Sequence, residues 1–131
     1  MARIENFEDL EVWQRARKIC QFVDTLIIST PIKNNLRLRD QMEGSSGSIM
    51  DNIAEGFDRD GNREFHNFLS YSKGSVSELK SQGYRALDKT YISTEQFEEL
   101  AEMCSQITSK IGALMYYLRN TEIKGQKFKK G

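Results

Sequence analysis

Leu38-Arg39-Asp40-Gln41-Met42-Glu43-Gly44-Ser45-Ser46-Gly47-Ser48-Ile49-Met50-Asp51-Asn52-Ile53-Ala54-Glu55-Gly56 runs two different faces along one helix. Leu38, Met42, Ile49 and Ile53 keep one helical phase and make an apolar stripe. Gln41, Ser45, Ser48, Asn52 and Glu55 repeat at 4-3-4-3 spacing beside it, a second stripe of mostly small or amide side chains. A solvated face would carry Lys and Glu there. Small and amide side chains suit close helix approach or a hydrogen-bonded seam, so this helix is expected to meet neighbours on two sides. The stretch speaks of assembly and says little about a reaction.

Outward from it, the rest of the chain reads as three more helices. Upstream, Leu10, Trp13, Ala16, Cys20, Val23 and Ile27 form one core stripe, with Asn6 as the expected cap and Pro31 stopping propagation. Val12, Ile19, Phe22 and Leu26 form a second stripe, rotated by about a third of a turn at about 100° per residue. So broad an apolar surface predicts a helix that something beyond the monomer must cover. Downstream, the second helix, from about Lys33, is expected to close at Gly56, with Asp58-Arg59-Asp60-Gly61-Asn62 as a polar turn whose last residue caps the third helix. There Phe65, Phe68, Leu69, Ser72, Val76, Leu79, Gly83, Ala86 and Leu87 share one face, while Tyr71, Ser75, Glu78 and Gln82 keep a polar phase. Gly74, Ser75 and Ser77 lower helicity by a few tenths to about 1 kcal/mol each, which tight helix packing would offset. In the fourth helix Ser93-Thr94-Glu95-Gln96 has the form of a capping box. Phe97, Leu100, Cys104, Ile107, Ile111, Leu114 and Leu118 then run at 3-4-3-4-3-4 spacing. No strand-like alternation competes, and the short connections predict an all-α, up-down-up-down antiparallel four-helix bundle over residues 1–120, followed by a basic tail over 121–131.

Composition narrows the function classes. The 131 residues fit one domain. Nineteen Lys+Arg balance nineteen Asp+Glu, so nucleic-acid binding would require a local patch. No apolar run approaches the roughly 18 residues of a membrane span, and a cytoplasmic protein without membrane contact is expected. Cys20 and Cys104 stand far apart on apolar stripes, which predicts reduced, buried thiols.

Three blocks carry a family resemblance. They are Phe7-x-Asp9-Leu10-x-Val12-Trp13-Gln14-x-Ala16; Gln41 with Ser48-Ile49-x-x-Asn52-Ile53-Ala54-Glu55-Gly56; and Glu64-Phe65 with Phe68-Leu69 and Lys73-Gly74-Ser75-x-x-Glu78-Leu79. Over nearly its whole length the chain resembles the bacterial four helix bundle proteins, also called S23 or 23S rRNA intervening-sequence proteins. The resemblance implies a bundle that assembles as a ring-like homopentamer, and no enzymatic activity is implied by it. Some genes of that family sit inside intervening sequences of the large ribosomal RNA. The family is also similar to the accessory protein of diversity-generating retroelements, a pentamer that associates with a reverse transcriptase and nucleic acid. Where many members place basic residues after the second-helix glutamine, this chain has Glu43-Gly44; where they prefer Ala, it has Ser45-Ser46.

Reactive constellations are sparse. A carboxylate-bridged metal site built on Glu55 and Glu78 would want Glu-x-x-His pairs, and His66 is the only histidine, without an acid three residues before it. Neither a metal nor another cofactor is expected. Ser45, Ser46, Ser48, Ser72 and Ser75 lack a histidine base at any motif spacing, and Gly44-Ser45-Ser46-Gly47 lacks the Lys-Ser/Thr of a phosphate loop, so no catalytic residue is assigned. Trp13 reads as a core or interface anchor, with a ligand-stacking role as the alternative. Lys124, Lys127, Lys129 and Lys130 are the candidate nucleic-acid contacts, with Phe128 as an aromatic among them; the alternative is a tail that merely solvates the end of the domain. Candidate oligomer-interface residues are Val12, Ile19, Phe22 and Leu26 on the first helix and Gln41, Ser45, Ser48, Asn52 and Glu55 on the second. The resulting expectation is a non-enzymatic homo-oligomer, pentameric by resemblance, that binds or scaffolds nucleic acid or a nucleic-acid enzyme. The competing reading is a small-molecule binder or enzyme that uses a polar pore or intersubunit cleft.

Overall fold

A computed structural model describes residues 4–121. Four helices, α1 (Glu11–Ser29), α2 (Leu36–Asp58), α3 (Asn62–Asp88) and α4 (Thr94–Asn120), account for most of them, and none of the described residues is in a strand. Short 3-10 turns precede α1 (Phe7–Asp9) and join it to α2 (Pro31–Asn34). Each helix packs on the next, and α1 closes the bundle against α4. The expected all-α four-helix architecture is therefore present.

Local chemistry sets most of the boundaries. Pro31 lacks an N–H, so α1 stops at Ser29 and the chain tightens into a turn capped by the Thr30 hydroxyl, which accepts from the Ile32 N–H at 3.2 Å. The Asn35 side chain caps α2 by accepting from the Leu38 N–H at 3.1 Å. Ser93 and Gln96 form the reciprocal capping box of α4. Three expected boundaries differ. Asn6 precedes the first 3-10 turn rather than α1, whose N-cap is Leu10. Gly56 lies inside α2, which runs on to Asp58. Gly61, at φ +86°, holds the N-cap position of α3. Asn62 instead reaches across the bundle, donating to the carbonyls of Leu118 and Thr121 at 3.1 and 2.6 Å and so tying the start of α3 to the end of α4.

The stripes of the sequence meet in one core. Val12, Ile19 and Leu26, expected to need cover from outside the monomer, are 5%, 1% and 2% exposed within the single chain, and Phe22 is half-buried. Their cover is internal because α1 packs against both α2 and α4, and two neighbours bury a wider arc than one apolar stripe. On α4 the next-to-last position of the repeat shifts by one residue, Met115 being buried and Leu114 only half-buried, as a 3.6-residue turn departs from a 3.5-residue repeat, while Leu118 is buried as expected.

Glycines separate into two kinds. A Cβ at Gly56 would lie 2.6 Å from Phe68 Cβ, and one at Gly83 would lie 2.8 Å from a Leu100 methyl, so these two set close helix approach. Gly44, Gly47 and Gly74 have no neighbouring atom within 4 Å of a built Cβ, so the tight packing expected to offset the helix cost of Gly74 is not supplied by its own chain. Gly44→Ala should accordingly stabilise the isolated bundle by about 0.5–1 kcal/mol, read as a higher denaturant midpoint at unchanged slope.

Candidate functional site

The small polar stripe of α2 finds its partners on α3. Ser45 is 6% exposed and donates to Gln82 Oε1 at 2.9 Å; Gln82 is itself 8% exposed. Ser75 donates to Ser48 Oγ at 2.9 Å, and Asn52 Nδ2 donates to both the hydroxyl and the carbonyl of Ser48 at 2.9 Å. Fully buried Ser72 donates to the Ile49 carbonyl at 2.9 Å. At the exposed end Arg85 donates to Gln41 Oε1 at 2.9 Å. A hydrogen-bonded seam is thus present where the sequence placed it, and its partners lie in the same chain. Ser45, Ser48 and Asn52 each hydrogen-bond within the bundle, as do Gln41 with Arg85 and Glu55 with Arg59, and of the five only Gln41 and Glu55 are exposed.

Glu55 pairs with Arg59 at 2.8 Å, one turn on, and Glu78 is exposed. Among the described residues no group of three His, Cys, Asp or Glu side chains is arranged to hold a metal ion. His66 sits beside Arg119, Nε2 to Nη1 at 2.9 Å, so its imidazole accepts from the guanidinium. Burial and then the Arg119 charge lower its pKa. Below the ordinary histidine range the unfolded chain therefore takes up the proton more readily than the folded one, and this contact between α3 and α4 weakens as pH falls.

The two thiols differ. Cys104 is buried, and that burial pushes its pKa up to about 11. Cys20 is half-buried; desolvation again raises its pKa, against a hydrogen bond with Ser46 that lowers it. Under a thiol reagent at pH 8 and native conditions, mass spectrometry should find Cys20 alkylated well before Cys104, with Cys104 reacting only on unfolding. The stability that neutral Cys104 contributes is full at neutral pH and fades as pH rises from the ordinary thiol range towards 11.

A feature the sequence reading did not assemble lies near the start of α1. Glu8, Trp13, Gln14, Arg17, Lys18 and Gln21 line an open groove of about 420 Å³. Half-buried Trp13 rests on Phe7, ring centroids 5.2 Å apart and planes 60° apart, and the Arg17 guanidinium stands 5.9 Å from the indole centroid. The signal was available as the i, i+4 pair Trp13 and Arg17 with Gln14 and Gln21 seven apart, but a polar exposed strip of helix has no period that separates it from an ordinary solvated face. A smaller groove of about 260 Å³ between α3 and α4 is lined by Val76, Ser77, Lys80, Cys104, Ser105 and Thr108 and has no aromatic ring. The tail candidates Lys124, Lys127, Lys129 and Lys130 lie outside the described residues.

No helix is long and apolar enough to cross a membrane among the described residues. A comparison with curated proteins finds no match. Among solved structures the chain is similar to a protein of unknown function of the S23 ribosomal protein family from Bacteroides thetaiotaomicron VPI-5482. That likeness has a TM-score of 0.68 at 18% identity and covers 79% of this chain and 97% of the other, and at that identity it speaks for the fold alone. The sequence model of 23S rRNA-intervening sequence proteins matches residues 8–113, well over half of the chain and spanning both the seam and the four-helix core. On that match the chain belongs to the 23S rRNA-intervening sequence protein family.

Proposed function

We propose that this protein is a non-enzymatic scaffold, a cytoplasmic ring-like homopentamer that associates with nucleic acid or with an enzyme acting on it. The observation that supports assembly is the open outer surface of α2 and α3. Gly44, Gly47 and Gly74 stand in helix interiors with nothing within 4 Å of a Cβ, and Tyr71, one turn before Gly74 on α3, is 58% exposed. Interior glycine costs a helix about 1 kcal/mol relative to alanine, and a second copy approaching backbone to backbone would offset it. Membership of a family named for an intervening sequence in 23S rRNA supports the nucleic-acid side of the reading.

Light scattering on the full chain at micromolar concentration tests assembly, with the pentamer expected; a mass near 15.2 kDa overturns the oligomer. Nucleic-acid association is expected to fall steeply with salt, because each neutralised phosphate releases counterions. Cutting the chain after Thr121 should remove the tail's share of that binding, multiplied around a ring by avidity, while the fold and the number of subunits stay unchanged. A small-molecule function in a polar intersubunit cleft would instead leave RNA affinity undetectable at low salt.

A further inference from the structure

We infer that the groove around Trp13 is a binding site for one unpaired nucleotide unit, the base stacked on the indole and the adjacent phosphate held by Arg17 and Lys18. This rests on the nucleic-acid side of the function proposed above and gives it a location on the bundle. The cavity, at about 420 Å³, is within the range of small-ligand pockets, and Gln14 to Gln21 spans about 10 Å at 1.5 Å per residue, room for a single nucleotide.

Each chemical requirement of such a ligand is met by a named group. A base needs a firm aromatic face, and the half-buried indole lines the groove and is steadied by its contact with the Phe7 ring. The guanidinium 5.9 Å from the indole centroid marks a π surface that already receives a planar cation, which a base would displace or stack beside. A phosphate needs cations free to turn towards it. Neither Arg17 nor Lys18 has a salt bridge or side-chain hydrogen bond among the described residues, although Arg15, two positions away, is tied to Glu11 and Gln106. The amide of Gln14 donates to the Glu8 carbonyl at 2.8 Å, which leaves its oxygen to accept, and Gln21 offers a second amide for a base edge. Glu8 is the acid in the lining; it opposes phosphate but accepts from an exocyclic amino group, so adenine, guanine or cytosine should be preferred to uracil.

Trp13 is the single tryptophan of the chain, so its fluorescence reports this groove directly. The full-length protein would be titrated at low salt with a single-stranded ten-nucleotide poly(A) RNA, with the matching poly(U), with AMP and with inorganic phosphate. Saturable quenching by poly(A), weaker quenching by poly(U) and none by phosphate are expected. Arg17→Gln should weaken the poly(A) midpoint by at least tenfold, with unchanged circular dichroism because Arg17 is exposed. Quenching by AMP as tight as by the strand assigns the site to free nucleotides; quenching by the strand alone assigns it to nucleic acid. RNA binding seen by gel shift without any change in Trp13 emission overturns this site while the proposed function stands. Absence of both overturns the two together, and quenching unaltered by Arg17→Gln overturns the phosphate contact that defines the site.

Discussion

Leu26→Glu should unfold the bundle rather than dissociate an assembly of folded chains. Leu26 is 2% exposed on the face of α1 that belongs to the core, where a new carboxylate would join a cluster of buried apolar side chains. An uncompensated buried charge costs about 3–5 kcal/mol, a large share of the 5–15 kcal/mol that holds a typical domain together. Urea denaturation followed by circular dichroism should show the loss directly, and at neutral pH much of the variant should already be unfolded. Phe22→Glu is the informative companion. Phe22 is only half-buried, so the carboxylate can turn towards water, and the bundle should survive with a loss of about 1–2 kcal/mol. A Leu26→Glu variant that keeps native stability and loses only its oligomeric mass would contradict the internal cover seen for α1.

Gly56→Val should be the most damaging change on the seam between α2 and α3. Its Cβ would stand 2.6 Å from Phe68 Cβ and 3.1 Å from a ring carbon of Phe65. Phe68 Cβ is anchored one bond from the backbone and cannot swing aside, so the helices must separate, at a cost of about 1–3 kcal/mol before the lost packing of Phe57 on Phe65 is counted. The same substitution at Gly83 meets the far end of a leucine side chain, which a rotamer change can relieve, and should cost less. Thermal unfolding of Gly56→Val, Gly83→Val and Gly44→Ala side by side, at a concentration low enough to keep the bundle single, should therefore order the three as strongly destabilised, mildly destabilised and stabilised. Equal effects at Gly56 and Gly44 would contradict the close approach of α2 to α3.

The sequence alone determined the number and type of elements, because helix formation answers to local spacing and local caps. The 3-4 rhythm of Phe97 to Leu118, the Ser93–Gln96 box and the break at Pro31 are all read within a few residues of where they act. It also placed the polar seam, since Gln41, Ser45 and Ser48 share a phase that water-facing helices rarely use. What the sequence left open was which surface meets which. A helical wheel gives the width of an apolar arc but not the identity of what fills it. Val12, Ile19 and Leu26, and the hydroxyls of Ser45 and Ser48, could therefore be assigned to a partner when α2, α3 and α4 of the same chain were the cover. Gly56 and Asn62 show the same limit from the other side. Each sits where a local cap is expected, and each is used across the bundle, the glycine for close approach to α3 and the amide for the last carbonyls of α4. The Trp13 groove came only with the tertiary structure, because it needs Phe7 and Glu8 folded back against α1, and a contact between separate elements leaves no period in the chain.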